Sequence, residues 1–193
     1  MKYRFAIPLL FGSAFLSACS PNAQSMPANT VENPLYAEYF YDNLIEQIVD
    51  LQIQKDPGLE GSAGTDAEKM KADALAKTQE VKQRQLRGKT GTFLPIKEEA
   101  VGKVLIETDA AWTGPEFFVT PGIELHLYLS TALDPRDVPF PGPDDLDLGI
   151  ASPFGAQKLS VPAGRTGDWR TAVLWDAKLH RLHGFAQLQQ AVR

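Results

Sequence analysis

The residues from Gly91 onward are patterned as short strands, and this pattern most constrains what the chain can fold into. Segment 123–130 is the clearest case, because apolar and polar side chains alternate there with the period of a half-buried strand. Other short apolar runs, separated by glycines and prolines, lie at 101–107, 117–119, 148–150, 156–161, 169–175 and 178–188. Several short strands joined by such turns predict a mainly β domain over 88–193, an antiparallel β-sandwich or barrel.

A short α-helical segment over 34–87 is predicted to precede the β domain. Its first helix, 35–54, carries one apolar stripe, formed by Tyr41, Leu44, Ile45, Ile48 and Leu51. The second helix is predicted to run from Thr65 to about Arg87, since Thr65 and Glu68 have capping-box spacing. Because the second helix has only a thin apolar stripe, we expect the first to dock on the β domain or on a partner.

Residues 1–18 have the layout of a secretory signal peptide. Lys2 and Arg4 give a basic start, residues 5–16 are almost all apolar, and the small residues Ser17 and Ala18 follow. An apolar run of about a dozen residues is too short to cross a hydrocarbon core of ~30 Å as a helix. We therefore expect this segment to direct export and to be removed.

Cys19 is the only cysteine of the chain and ends the sequence Leu16-Ser17-Ala18-Cys19. This sequence resembles the lipobox of bacterial lipoproteins, whose cysteine becomes the mature N-terminus and carries palmitate and further acyl chains. The alternative is an ordinary signal peptide with a chance cysteine near its cleavage site. The resemblance implies a lipidated tether over 19–33 that holds the protein at a membrane. Ser20 in place of an aspartate implies the outer membrane, with the protein facing the periplasm.

The charge and the cysteine content limit the partners and the sources of stability. A formal net charge of −5 gives the chain as a whole no cationic surface for nucleic acid. The expected partners are a membrane, through the lipid anchor, and an envelope protein. Once Cys19 is lipidated, no thiol remains for a disulfide, so packing must stabilise the fold.

The C-terminal half carries a set of short segments that come in a fixed order. They are 91–93, 102–104, 124–130, 147–149, 155–157, 161–162, 172–175 and 184–188. Together they resemble the DM-thirteen domain, a small β domain to which electron transfer has been attributed. The resemblance covers about 87–188 and implies the β fold.

One position departs from the pattern of that family. The family has its redox cysteine directly after the tryptophan of the penultimate strand, whereas here Asp176 follows Trp175. Aspartate cannot do thiol chemistry. The resemblance therefore implies the fold of this chain but not the electron-transfer activity.

Asp176, His180 and His183 form a D-x3-H-x2-H string near the C-terminus. On a helix all three would face one way and could hold a metal. On a strand, which we expect, Asp176 and His180 share one face and His183 points to the other. The plainer interpretation is that these are surface polar residues at the end of a strand.

His126, on the polar face of 123–130, and Trp175 are the remaining ligand candidates, with a solvated histidine and a packing tryptophan as alternatives. The acidic, Pro-rich loop 134–147 is expected to be solvated rather than to bind calcium. No catalytic constellation is evident, and no cofactor or metal is predicted. The sequence favours a non-enzymatic binding lipoprotein, and the alternative is a redox module that uses a bound metal or cofactor.

Overall fold

The computed structural model of the chain describes residues 31–164 and 167–190. The predicted signal peptide 1–18 and the predicted lipidation site Cys19 lie outside the described residues, as does most of the predicted tether 19–33. Within the described part, two helices precede a β-rich region built from antiparallel sheets. The prediction of a mainly β domain behind a helical segment is therefore confirmed.

The helical segment consists of α1 (Pro34–Gln54), a 3-10 turn (Pro57–Leu59) and α2 (Ser62–Gln85). Pro34 is the first helical residue of α1, and the side chain of Asn33 caps it by accepting from the next free backbone N–H groups. Helix α2 begins at Ser62, so the capping box predicted at Thr65 is wrong. The reason is Gly61, whose φ of 68° turns the chain directly out of the 3-10 turn into the helix.

The two helices pack against each other as a hairpin, although the apolar stripe of α2 is thin. Ile48 of α1 and Ala74 and Thr78 of α2 are buried in the contact. Polar bonds supplement this small apolar area, for example Lys71 Nζ to Gln52 Oε1 at 2.9 Å. The hairpin is therefore held by a mixed seam and not by a continuous apolar stripe.

Helix α1 also docks on the β domain, as the sequence predicted, but only through its first turn. Leu35 packs in one buried cluster with Leu105, Ala110 and Trp112. The end of α2 adds a polar clamp, because the Arg84 guanidinium donates to both Glu107 carboxylate oxygens, at 2.8 and 2.6 Å. Trp112 Nε1 donates to the same carboxylate at 2.8 Å.

The β domain contains twelve short strands among the described residues. They are β1 (Lys89–Thr92), β2 (Leu94–Pro95), β3 (Ala100–Val101), β4 (Lys103–Ile106), β5 (Ala110–Thr113), β6 (Phe118–Val119), β7 (Leu125–Ser130), β8 (Leu146–Ile150), β9 (Gln157–Ser160), β10 (Thr171–Asp176), β11 (Arg181–Gln187) and β12 (Gln189–Gln190). Sheet I has the order β12-β1-β4-β5-β9, sheet II has the order β2-β11-β10-β7-β8, and β3 pairs with β6. Every pairing is antiparallel.

Sheets I and II face each other across one core, which makes the domain a sandwich. The inward side chains of β4 and β5, such as Val104 and Ala111, share a cluster with Leu127 of β7 and Leu174 of β10. Side chains at the alternate positions point outward and form separate clusters on the two outer faces. Successive side chains thus alternate between the core and an outer face on both sheets, as the pleat of a strand requires.

Two strand assignments differ from the sequence prediction. The segment 101–107 is divided between β3 and β4 at Gly102, whose φ of 100° breaks the strand. A Cβ there would also lie 2.6 Å from the Cα of Phe117, so only glycine fits. Strand β5 went unpredicted because it is buried on both faces and shows no alternation of apolar and polar residues.

Candidate functional site

Asp176, the position of the redox cysteine in the resembled family, is fully buried at the end of β10. Its Oδ2 accepts from the backbone N–H groups of Ile123 (2.6 Å) and Glu124 (3.4 Å). Its Oδ1 accepts from those of Lys178 (2.9 Å) and Leu179 (2.8 Å). The carboxylate therefore joins the loop before β7 to the turn after β10.

Burial by itself would raise the pKa of the Asp176 carboxyl, because it removes water from the charged form. The four backbone N–H groups outweigh burial and hold the pKa below its usual value. A Cβ at Gly122 would overlap Oδ2, so the loop closes tightly over the carboxylate. Asp176 is thus an ionised but fully engaged structural group.

The predicted arrangement of Asp176, His180 and His183 is wrong. A turn separates the two strands, and it places His180 in an exposed position with a left-handed φ of 48°. A register shift between β10 and β11 lies just before His183, which is buried at 2% exposure. Asp176 and His183 are therefore buried instead of lying at the surface, and His180 shares no strand face with Asp176.

His183 Nδ1 lies 3.1 Å from the carbonyl oxygen of Thr120, so Nδ1 carries the proton and donates. Its Nε2 is buried without a hydrogen-bond partner among the described residues, as is Oε2 of Glu98. Burial raises the pKa of Glu98, but the hydrogen bond from Arg181 (2.5 Å to Oε1) and its charge bring it below the usual value. His183 and Glu98 make no ion pair within the described residues, because no nitrogen of His183 lies within 4.0 Å of a carboxylate oxygen of Glu98.

His126 lies on the outer face of sheet II, as predicted, but it is engaged and only partly solvated. Its Nδ1 lies 2.9 Å from both carboxylate oxygens of Asp147, across the β7–β8 pairing. Its Nε2 lies 3.5 Å from Oε1 of Glu124 and has no hydrogen-bond partner among the described residues. Glu124 in turn pairs with Lys178 at 3.1 Å.

Tyr128 adjoins this group, two residues along β7. Its ring stacks beside His126, and Asp147 lies opposite it in the β7–β8 register. Burial first, and then the negative charge of Asp147, raise the pKa of Tyr128 to about 12. The carboxylate that holds the His126 ring therefore also lies close to Tyr128, and the phenol stays neutral at physiological pH.

Trp175 and the Pro-rich loop form an aromatic cover beside this polar group. Phe140, from the loop, packs edge-on against both Tyr128 and Trp175, at centroid distances of 5.5 and 5.3 Å. The guanidinium of Arg136, also from the loop, lies 5.3 Å from the ring of Phe185. Trp175 is therefore a half-buried packing residue that lines the site, and the loop covers part of sheet II.

The arrangement offers an imidazole nitrogen and several carboxylates, and the described residues place no nucleophile beside an activating base. Within 31–164 and 167–190, no group of three or more His, Cys, Asp or Glu side chains is placed to hold a metal ion. The sequence proposed His126 as a candidate and considered Asp147 only as part of the acidic loop, and it missed Glu124. The sequence could have indicated Glu124, because residues 124, 126 and 128 share a strand face. It could not indicate Asp147, because the register between β7 and β8 cannot be read from the sequence.

Comparisons with known protein families, with curated proteins and with solved structures find no match to this chain. The resemblance to the DM-thirteen domain therefore remains a prediction. Among the residues that the structure describes, neither helix combines the length and the apolar character needed to cross a bilayer.

Proposed function

We propose that this protein is a lipid-anchored, non-enzymatic binding module of the cell envelope, built on a DM-thirteen-like β-sandwich. The lipobox-like sequence ending at Cys19 supports export and anchoring at the outer membrane. The β-sandwich behind the tether supplies the binding surface, which faces the periplasm.

The observation that carries the binding proposal is the unequal covering of the two outer faces of the sandwich. On sheet I, the helical hairpin buries Leu105 and Trp112 and clamps Glu107. On sheet II, the Pro-rich loop and Ile96 cover part of the face, and Ile150 of the edge strand β8 remains 72% exposed. Exposed apolar side chains rimmed by charge are typical of interaction surfaces.

The charge around Ile150 indicates the chemistry of the partner. Glu124, Asp145 and Asp147 all act on Tyr128 in this region, and Lys178 is a neighbouring cation paired with Glu124. A surface of this sign favours association with a basic surface and disfavours an acidic one. The proposed partner is therefore an envelope protein with a basic patch.

The structure of Asp176 argues against redox chemistry at the position of the family cysteine, and the alternative of a redox module that uses a bound metal or cofactor stays a prediction. The side chain at the position of the family cysteine is buried and already accepts four backbone hydrogen bonds. It has no free lone pair directed at solvent and no thiol chemistry. Asp176 instead has a structural role, because its carboxylate joins the loop before β7 to the turn after β10.

Anchoring is tested by Cys19→Ala in the producing cell. The wild-type chain should incorporate labelled palmitate and sediment with membranes, and Cys19→Ala should lose the label and move to the soluble fraction. A Ser20→Ala variant is the matched control and should behave as wild type. Membrane retention of unlabelled Cys19→Ala would defeat the anchoring proposal.

Partner binding is tested by site-specific photo-crosslinking in intact cells. A photoreactive residue at Ile150, on sheet II, is compared with one at Ile53, on the hairpin, because the two are 72% and 73% exposed. A discrete adduct is expected at Ile150 and not at Ile53, and it should weaken at raised salt and in Asp144→Lys. Identical patterns at both positions, or an adduct insensitive to salt and charge reversal, would reject a basic partner at sheet II.

A further inference from the structure

The hydrogen bond at Nδ1 determines which tautomer the neutral His126 ring adopts. The Asp147 carboxylate, 2.9 Å away, can only accept, so Nδ1 carries the proton. In the neutral ring this leaves a lone pair on Nε2, on the opposite side of the imidazole. A carboxylate behind one ring nitrogen is the arrangement that orients metal-ligating histidines and increases their basicity.

A carboxylate oxygen of Glu124 is the neighbour of Nε2 that could act as a second metal ligand. Nε2 lies 3.5 Å from Oε1 of Glu124, too far for a good hydrogen bond, and it makes none within the described residues. Two ligands bound at about 2.0–2.2 Å to a tetrahedral zinc ion lie about 3.4 Å apart. The spacing therefore fits one metal ion between the two atoms better than it fits a direct bond.

The surroundings favour a cation. Asp145, Asp147 and Glu124 surround the pair formed by His126 and Tyr128, and Lys178, on Glu124 Oε2, is a neighbouring positive charge. Glu124 and Lys178 have side chains 34% and 63% exposed, so a metal ion needs only surface side chains to shift in order to enter.

We propose that His126 Nε2 and Glu124 Oε1 bind a divalent transition metal of the zinc type, with Asp147 holding the ring in position. An imidazole with a carboxylate suits such a metal better than it suits calcium or magnesium. Water molecules complete the coordination, because the described residues offer no complete protein set. This departs from the sequence prediction of no cofactor, and it is independent of the proposed partner binding.

The test is calorimetric titration of the full chain, purified in mild detergent, with zinc chloride, and with calcium chloride as the comparison. Each titration is repeated in a Cys19→Ser background, because this substitution removes the only cysteine of the chain as an alternative zinc ligand. One saturable zinc site and no comparable calcium site are expected. Cobalt in place of zinc should give a visible absorption band that reports the geometry of the site.

Four variants locate the site. His126→Gln should abolish zinc binding, and Asp147→Asn should weaken it about 10–100-fold, since it removes the group behind the ring. Glu124→Gln should weaken zinc binding strongly. Lys178→Ala should strengthen binding a few-fold, because it removes the cation that competes for Glu124. Circular dichroism and the thermal midpoint of each metal-free variant report whether it is folded.

His180→Asn is the matched control, because it removes a histidine from an exposed turn and asparagine tolerates the left-handed φ there. Zinc binding should be unchanged in this variant. Absence of a saturable site in the wild type would overturn the proposal. So would zinc binding that survives His126→Gln, which would assign the metal to the acidic loop, and so would an unchanged affinity in Asp147→Asn.

Discussion

Asp176 and His126 are close neighbours on the same strand pair, yet their side chains lie on opposite faces of the sheet and differ in how fully they are hydrogen-bonded. In the β7–β10 register, Trp175 lies opposite His126, and Asp176 lies opposite Leu125. The side chain of Asp176 points inward, where four backbone N–H groups satisfy it. The side chain of His126 points outward, where Asp147 satisfies one nitrogen and the other has no hydrogen-bond partner among the described residues.

This contrast between a saturated and an unsaturated side chain indicates which of the two positions could bind a ligand. A buried charge that the backbone has saturated has no capacity left for a ligand. A buried imidazole nitrogen that has no hydrogen-bond partner among the described residues keeps that capacity. We therefore assign a structural role to Asp176 and the proposed metal binding to His126, and each of the following changes tests that division.

Asp176→Ala should have the largest effect on stability. Removing the carboxylate leaves four N–H donors without an acceptor, each worth about 1–3 kcal/mol, and water entering the gap recovers part of this. We expect the free energy of unfolding in urea to fall by about 3–5 kcal/mol, or the β domain to fail to fold. A loss below about 1 kcal/mol, within the range of exposed polar substitutions, would contradict the structural role.

Asp176→Cys should fold and be destabilised less than Asp176→Ala, because a thiolate can accept some of the same hydrogen bonds. The four N–H groups should lower the pKa of the new thiol below its ordinary value of about 8.5. Thiolate absorbance against pH measures this, with Cys19→Ala in the background so that one thiol titrates. An ordinary or raised pKa would mean that the N–H groups do not converge on this position.

Acid should weaken the fold partly through Asp176. Its folded pKa lies below the unfolded value of about 3.9, so its stabilisation is complete above that value and is lost as the pH falls through the folded pKa. In urea unfolding against pH, wild type and Asp176→Asn should differ most near neutrality and converge in acid. Because Glu98 and Glu107 also have lowered pKa values, only the difference between the two curves isolates Asp176. A constant gap between the curves would contradict the ionised state.

His126→Ala should have the smallest effect on stability. The pair with Asp147 lies at the surface, where such contacts contribute about 0–1 kcal/mol. Urea unfolding of the metal-free chain should therefore change by less than about 1 kcal/mol. A loss as large as that of Asp176→Ala would remove the distinction between a structural and a binding position.

The sequence predicted those features that depend on local periodicity. Leu125, Leu127 and Leu129 are buried as the alternating pattern required, and His126 is on the outer face. The pattern gave no signal for β5, where helix α1 covers a face that would otherwise be exposed. The predicted cap at Thr65 was wrong because Gly61, upstream of it, already turns the chain into α2.

The candidate site was predictable only residue by residue. His126 was identified from its strand face, but Asp147 was assigned to the loop and lies in β8 opposite Tyr128. Asp176 and His183 were assigned to the surface, whereas the turn and the register shift before His183 bury both. Hairpin geometry of this kind cannot be read from the spacing of three polar residues.

Alternation along a strand is set by neighbouring backbone dihedrals, so the sequence alone determined which side chains of β7 point to the core. Only the tertiary structure decided what those side chains meet. Asp176 receives hydrogen bonds from Ile123, 53 residues away in the chain, and His126 meets Asp147, 21 residues away. Such contacts depend on strand register and loop closure, and a shift of one residue would exchange the buried and the exposed partners.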